Sequence, residues 1–269
     1  MRPIYIIGDI HGQYKKMVTN LQQAKLIDDQ LDWIGGDATL IFLGDFFDRG
    51  PAGLQALQLA MFLQERAELA GGEVTALLGN HEVLILSAYH FGHQMPPGEK
   101  RTFMHLWQMN GGLMRDLIGL EPEHVVWISR LPAMILLAEH LLMHADALFY
   151  VEYGHDLDTI NQAFVDLLRN DDMVAWNRLL RQFAERNTFL EKDKSAVVPL
   201  LQRIGGQRVI HGHTPISFVT EMEPVNVVRP LDYAGGLCIN VDGGMYLGGP
   251  GFIYRLPDRV DAGSASGSE

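Results

Sequence analysis

Cysteine is almost missing from this chain of 269 residues, with Cys238 standing alone. A single thiol excludes an intrachain disulfide framework and a metal cluster built on cysteines. Basic residues are also scarce: 21 Lys and Arg face 33 Asp and Glu, a formal net charge of −12. That deficit argues against a surface that coats nucleic acid. It does not exclude an anionic ligand, because acids that hold metal no longer count as free charge. Long apolar runs are absent too. The greasiest stretch, LPAMILLAEHLLMHADAL from Leu131 to Leu148, is interrupted by Glu139 and His140, so no membrane span is expected. The N-terminal apolar run stops at Gly8-Asp9, too short for a signal-peptide core. With 47% hydrophobic and 20% charged residues, the composition is that of an ordinary globular protein. A cytoplasmic enzyme or binding protein without a nucleic-acid or membrane partner is expected, its oligomeric state left open.

What the chain does contain is a set of short apolar runs that each end in polar, turn-forming residues. PIYIIGD, ATLIFLGD, EVTALLGN, QRVIHGH and GLCINVDGG read as buried strands. Helical spacing follows the first two: Tyr14, Met17, Val18, Leu21 and Leu26, then Leu54, Leu57 and Met61. Strand and helix in alternation predict an α/β domain with a parallel sheet covered on both faces. The stretch AMILLAEHLLMHA predicts a hairpin turning at Glu139-His140, although that pair suits a tight turn poorly. No repeat or linker divides the chain. The expected organisation is one domain over residues 1–260, with helical insertions at about 92–127 and 158–205, and a disordered Gly/Ser tail over 261–269.

The polar strand ends carry the chemistry. They supply Asp9 and His11, then Asp45, Asp48 and Arg49, then Asn80 and His81, then His144, and last His211 and His213. Ligands of open α/β sheets bind beyond the carboxyl ends of the strands, where these residues would converge. Oxygen and imidazole donors together suit manganese, iron, zinc or cobalt rather than calcium. Two cations ~3.5–4 Å apart need an anion between them, and Asp45 on the second strand is the natural bridge. Asp9 and His11 would complete one ion; Asn80, His144 and His213 the other. Taken singly, Asp9 or Asp45 after a glycine would be a turn residue and His144 a satisfied strand histidine. Three such strand ends plus the later histidines favour the metal reading.

GDIHG, GDFFDRG and GNHE, in this order, resemble the three-part signature of the phosphoprotein phosphatase family of calcineurin-like metallophosphoesterases, in its bacterial form. LPAMILLAEHLLMHADAL resembles that family's hairpin leading to a ligating histidine, HGHTP its last ligand motif, and INVDGGMYLGGPGFIYRL its closing strands. The resemblance implies a four-layer α/β/β/α sandwich of mixed sheets flanked by helices. It implies two divalent metal ions, manganese foremost with iron, zinc or cobalt as alternatives, held by Asp9, His11, Asp45, Asn80, His144 and His213. In that scheme a metal-activated hydroxide attacks phosphorus, His81 protonates the leaving group and Asp48 orients His81. Arg49 grips the phosphoryl oxygens, and a second arginine after a Trp in VAWNRLL points to Arg178, with Arg181 and Arg186 close by. Between the two histidines of HGHTP, the alignment favours His213 as ligand and leaves His211 behind the ligands.

The expected activity is hydrolysis of phosphomonoesters on a phosphoprotein or a small phosphoester, foremost phosphoserine and phosphothreonine. The alternative within the family is symmetrical hydrolysis of dinucleoside tetraphosphates. That branch typically lacks an acid where this chain has Asp48, which favours the phosphatase. A catalytically silent phosphoprotein-binding module would predict erosion of a catalytic position, and every one is occupied. The extended C-terminal region and Tyr-containing loop of eukaryotic relatives are not expected here, so their substrate recognition is not carried over. His90 and His93 are read as solvated or capping residues, and His105, His124, His140 and His155 as surface or loop residues. TFMHLWQM is read as packing.

Overall fold

Why each strand reads as almost wholly apolar becomes clear from what lies on its two faces. The structure is a computed structural model that describes residues 2–257, and the tail expected over 261–269 lies outside the described residues. In chain order the elements are β1 (Ile4–Ile7), α1 (Tyr14–Gln23), β2 (Thr39–Phe42), α2 (Gly53–Leu69), β3 (Glu73–Ala76) and α3 (Asn80–Phe91). There follow α4 (Phe103–Met109), α5 (Met114–Gly119), α6 (Pro122–Ile128), β4 (Met134–Leu137) and β5 (His140–Met143). The second half holds α7 (Leu157–Leu168), α8 (Met173–Gln182), α9 (Thr188–Lys192), α10 (Lys194–Ile204), β6 (Arg208–His211), α11 (Ile216–Val219), β7 (Leu231–Tyr233), β8 (Cys238–Asn240) and β9 (Ile253–Arg255).

The strands form two mixed sheets, ordered β3-β2-β1-β9 and β4-β5-β6-β8-β7. β1, β2 and β3 are parallel, as are β5, β6 and β8, while β9, β4 and β7 run antiparallel at the edges. Ile6 and Ile41 of the first sheet pack with Leu142, Ile210 and Ile239 of the second, forming a core between the sheets. Their neighbours Ile7, Leu40, Phe42 and Leu141 face the helices. Alternate residues of one strand thus enter two different cores, which is why polar residues are excluded from both faces. The four-layer sandwich expected from the resemblance is the observed fold.

One local register differs from the sequence reading. The hairpin turns at Ala138-Glu139, one residue earlier than expected, with Leu137 opposite His140. Both turn residues have positive φ, 45° and 64°, as a two-residue turn of the primed type demands. His140 is therefore the first residue of β5 and buried, its Nδ1 2.7 Å from the Ala138 carbonyl. His124 is buried as well, accepting the Glu121 N–H at 2.9 Å to cap α6. Neither is the surface residue expected from sequence; each closes a turn or cap. Among the described residues no helix is long and apolar enough to cross a membrane.

Candidate metal centre and active site

The loops leaving β1, β2, β3, β5 and β6 converge on one buried spot. Asp9, His11, Asp45, Asp48, His81, His144 and His213 are all at most 5% exposed. Backbone pairing knits the loops together: Ile10 and His11 donate to the Asp45 carbonyl at 3.1 and 2.7 Å, and Gly12 donates to Phe46. Asp9 Oδ1 accepts the His213 N–H at 3.0 Å, and Asp45 Oδ1 accepts the His81 N–H at 2.9 Å. The close approach depends on absent side chains. A Cβ at Gly79 would lie 2.3 Å from Asp45 Oδ1, and one at Gly212 would lie 2.3 Å from Asp9 Oδ1.

The carboxylate of Asp45 sits at the centre. Its Oδ2 is 3.5 Å from His11 Nε2 and 3.4 Å from His144 Nε2. Asp9 Oδ2 lies 3.8 Å from His11 Nε2. On the other side His144 Nε2, His213 Nδ1 and Asn80 Oδ1 lie 3.0–3.2 Å from one another. Two groups of donors therefore share Asp45: His11 on one side, with His81 Nε2 also 3.9 Å from Asp45 Oδ2, and His144 with His213 on the other.

The chemistry of these atoms fits divalent cations. His11 and His144 each point Nδ1 at a backbone carbonyl, Phe47 at 3.0 Å and Leu43 at 2.8 Å. Those bonds place the N–H on Nδ1 and leave the Nε2 lone pairs facing the centre. Asp9 Oδ2 is buried and without a hydrogen-bond partner. Lone pairs converging on one point, with an orphaned carboxylate oxygen beside them, are satisfied together only by positive charge.

Proton equilibria report the same field. Burial alone would raise Asp45, but His144, His81 and His11 around it hold its carboxyl well below the usual range. Burial pushes Asp9 up to about 7. Burial also opposes charge on His144, yet Asp45 and Asp9 lift it to about 10. Burial and the neighbouring His81 keep His11 well below its ordinary value.

His81 lies in the first turn of α3 and turns its Nδ1 away from the centre, 2.6 Å from Asp48 Oδ2. Asp48 takes a second hydrogen bond on Oδ1 from the Trp107 indole N–H at 2.8 Å. Burial raises the Asp48 pKa, while the bonds from His81 and Trp107 pull against that rise. Trp107, read from sequence as packing, is fully buried and also fixes Asp48. Glu82, the last residue of GNHE, accepts the N–H groups of Asp45, Phe46 and Gly79 at 2.7–3.0 Å. It holds the loop that carries Asp45, and its adjacency to His81 in the motif was the available signal. Arg49 spans the two histidines, with Nη1 2.8 Å from His11 Nε2 and Nη2 3.1 Å from His81 Nε2. Its guanidinium lies 4.3 Å over the Tyr246 ring, a contact with no sequence signal.

In front of the centre lies a cleft of about 270 Å³, lined by Arg49, Asn80, Leu84, Leu106, Leu180, Phe183, Arg181 and Arg186, with Glu99 and Asn177 among its other walls. Arg178 does not line it. Its Nη2 pairs with Glu152 at 2.5 Å on the outer side of α8. Helix α8 keeps Arg178 on its outer side and brings Arg181 to the cleft's edge, and Arg186 follows beyond its end. His211 points away from the centre to the Tyr233 hydroxyl at 2.6 Å.

Comparison with known proteins places this geometry in a family. The calcineurin-like phosphoesterase model matches residues 2–217. An uncharacterised protein of Schizosaccharomyces pombe is 35% identical over 242 residues, 79% of this chain and 67% of that protein. Shewanella-like protein phosphatase 1 of Plasmodium berghei is 36% identical over 52% of this chain and 38% of its own length. The chain thus spans two thirds of the first and well under half of the second. More distant relatives include a serine/threonine-protein phosphatase 1 of Salmonella typhimurium, 29% identical over 54% of this chain and 59% of its own length. A symmetrical bis(5'-nucleosyl)-tetraphosphatase of Vibrio cholerae is 30% identical over 66% and 55%. The crystal structure of a cold-active protein-tyrosine phosphatase from Shewanella superposes with a TM-score of 0.73 at 22% identity, over 96% of this chain and 76% of that one. The chain belongs to the calcineurin-like phosphoesterase family.

Proposed function

We propose that this protein is a metal-dependent protein phosphatase that hydrolyses phosphomonoesters, foremost on phosphoserine and phosphothreonine. The observation that carries the reading is the His81–Asp48 pair at 2.6 Å beside the shared Asp45 carboxylate. Such a pair supplies a proton to a leaving alkoxide, and a site that only bound phosphoproteins would have no use for it. Metallophosphoesterases of this family use a dinuclear divalent centre. Asp9, His11, Asp45, Asn80, His144 and His213 would hold the two ions, with manganese the proposed metal. When bound, the ions supply Lewis acidity toward the phosphoryl oxygens and lower the pKa of water.

The chain's own residues account for the rest of the proposed reaction. Asp48 accepts the His81 Nδ1 proton and so directs Nε2 at the reacting group. Trp107 keeps Asp48 from turning away. Arg49 offers a planar fork to the phosphoryl oxygens, and Arg186, which lines the same cleft, takes the place of Arg178 as the second clamp. Asp48 also favours a phosphatase over the symmetrical tetraphosphatase that the Vibrio cholerae relative's name records. A second reading, phosphotyrosine as substrate, is favoured by the apolar walls Leu84, Leu106, Leu180 and Phe183, which suit an aromatic leaving group. The test is turnover of the manganese-loaded protein, side by side on phosphoserine, phosphothreonine and phosphotyrosine peptides and diadenosine tetraphosphate. Faster turnover of the tetraphosphate would overturn the phosphatase reading, and a preference for the tyrosine peptide would replace the first reading with the second.

A further inference from the structure

The cleft holds three guanidinium groups, but they are not equally free. Arg181 forms an ion pair with Glu99, and Asn177 donates to Glu99 Oε1 at 3.1 Å. Glu99 comes from the loop between α3 and α4, so its carboxylate reaches across the cleft mouth onto α8. Its side chain is 21% exposed, against 67% for Arg181. Among the described residues Arg186 makes no ion pair. Arg49 and Arg186, neither of them in an ion pair among the described residues, therefore share the cleft with one carboxylate that already pairs with the third.

That charge pattern suits one phosphoryl group and no more. A phosphomonoester carries about −1.5 to −2 near neutral pH, which Arg49 and Arg186 match. A polyphosphate chain seated with one phosphorus at the centre must run its next phosphates along the cleft. There they meet the Glu99 carboxylate and an arginine whose charge is taken. Like charges in a partly screened cleft repel strongly enough to discriminate between ligands. We propose that Glu99 is a specificity-determining residue, which admits single phosphoryl groups and turns away polyphosphate chains. The proposal rests on the phosphatase reading above and gives that site its substrate class.

Glu99→Gln tests it, since the amide keeps an acceptor for Asn177 and removes the charge. The readout is kcat/KM of the manganese-loaded protein for diadenosine tetraphosphate relative to p-nitrophenyl phosphate, with free metal held constant. The ratio should rise roughly ten-fold or more, as expected for relief of one like-charge contact. The gain should shrink in 0.5 M salt and in the Glu99→Gln/Arg181→Ala double variant, where the freed cation is gone. An unchanged ratio, or a gain indifferent to salt, overturns the proposal. If the unaltered protein already prefers the tetraphosphate, the proposal falls and the metallophosphoesterase assignment stands. If it cleaves neither compound, the phosphatase reading falls first and takes this inference with it.

Discussion

Replacing Trp107 by Phe removes a single hydrogen bond. The indole N–H reaches Asp48 Oδ1 at 2.8 Å where both residues are fully buried. Hydrogen bonds to charged groups are worth about 1.5–3 kcal/mol, and leaving the acceptor unpaired in the interior incurs the cost in full. Part of that loss appears as stability, together with the cavity left by the smaller ring, at roughly 2–4 °C of melting temperature per kcal/mol. Thermal unfolding alone therefore cannot separate the bond from the packing. The pH–rate profile can. Burial already raises the Asp48 pKa, and the Trp107 and His81 bonds oppose that rise; removing one lets it climb further. Asp48 would then stay protonated to higher pH, and a neutral carboxyl cannot support a charged His81. The acid limb of kcat should move to higher pH. At its optimum kcat should fall by up to about a hundred-fold, the rate equivalent of the whole 1.5–3 kcal/mol. Metal content should be unaffected. A variant with lower stability but the parent's acid limb and kcat would refute the reasoning and return Trp107 to packing alone.

Other perturbations separate the roles of the remaining residues. His81→Ala should cut turnover by at least a hundred-fold, about the contribution of one general acid, while elemental analysis still finds two ions per chain; loss of metal would make His81 a ligand. Asp45→Asn should weaken both ions together, because Oδ2 stands 3.4–3.5 Å from a histidine of each group. A variant with one ion retained at parental affinity would disprove the shared role. Arg49→Ala and Arg186→Ala should each raise the inhibition constant of phosphate about ten-fold or more without loss of metal, whereas Arg178→Ala should leave it near the parent value. Metal loading should release protons. His144, lifted to about 10, stabilises the metal-free fold fully below its ordinary pKa near 6.5 and loses that contribution as pH rises through 10. A metal ion needs its neutral form, so calorimetry at pH 8 in buffers of differing ionisation enthalpy should find about one proton released; none released would contradict the assignment.

Strand ends were readable because the peptide geometry forces their meaning. An apolar run buried on both faces can end only where the chain leaves the sheet, and Asp9, Asp45, Asn80, His144 and His213 all lie within a few residues of such an end. Their convergence needs no knowledge of the helices. Which arginine lines the cleft was not readable, for the opposite reason. Three arginines lie on or just after one amphipathic helix, and only its packing against α3 decides which of them faces the cleft. Trp107 was invisible as a partner because its acceptor lies 59 residues earlier in the chain. His140 and the hairpin register were missed together: Ala138 and Glu139 have little turn propensity, so nothing in the local sequence announces that both adopt positive φ.

The backbone of the site gives those short motifs a further physical reason. His11, Asp45, Asp48, Arg49 and His213 all have φ between 44° and 68°, a region that side chains other than Gly and Asn visit at a cost of about 1–3 kcal/mol each. Five such residues in one site would not persist without compensation. It is visible in the Glu82 carboxylate under Asp45 and Phe46, the Asp9 side chain under His213, and the Gly111 carbonyl under the Arg49 N–H at 2.9 Å. Each tie comes from a different loop, so no motif can hold its own geometry. GDIHG needs the Asp45 carbonyl, GDFFDRG needs Glu82 of GNHE and the turn after α4, and HGHTP needs Asp9. A substitution at Glu82 or Gly111 should therefore disturb the reacting side chains although each bonds only to the backbone of their loops, and the helical segment that carries Trp107 and Gly111 is built into the centre rather than appended to it.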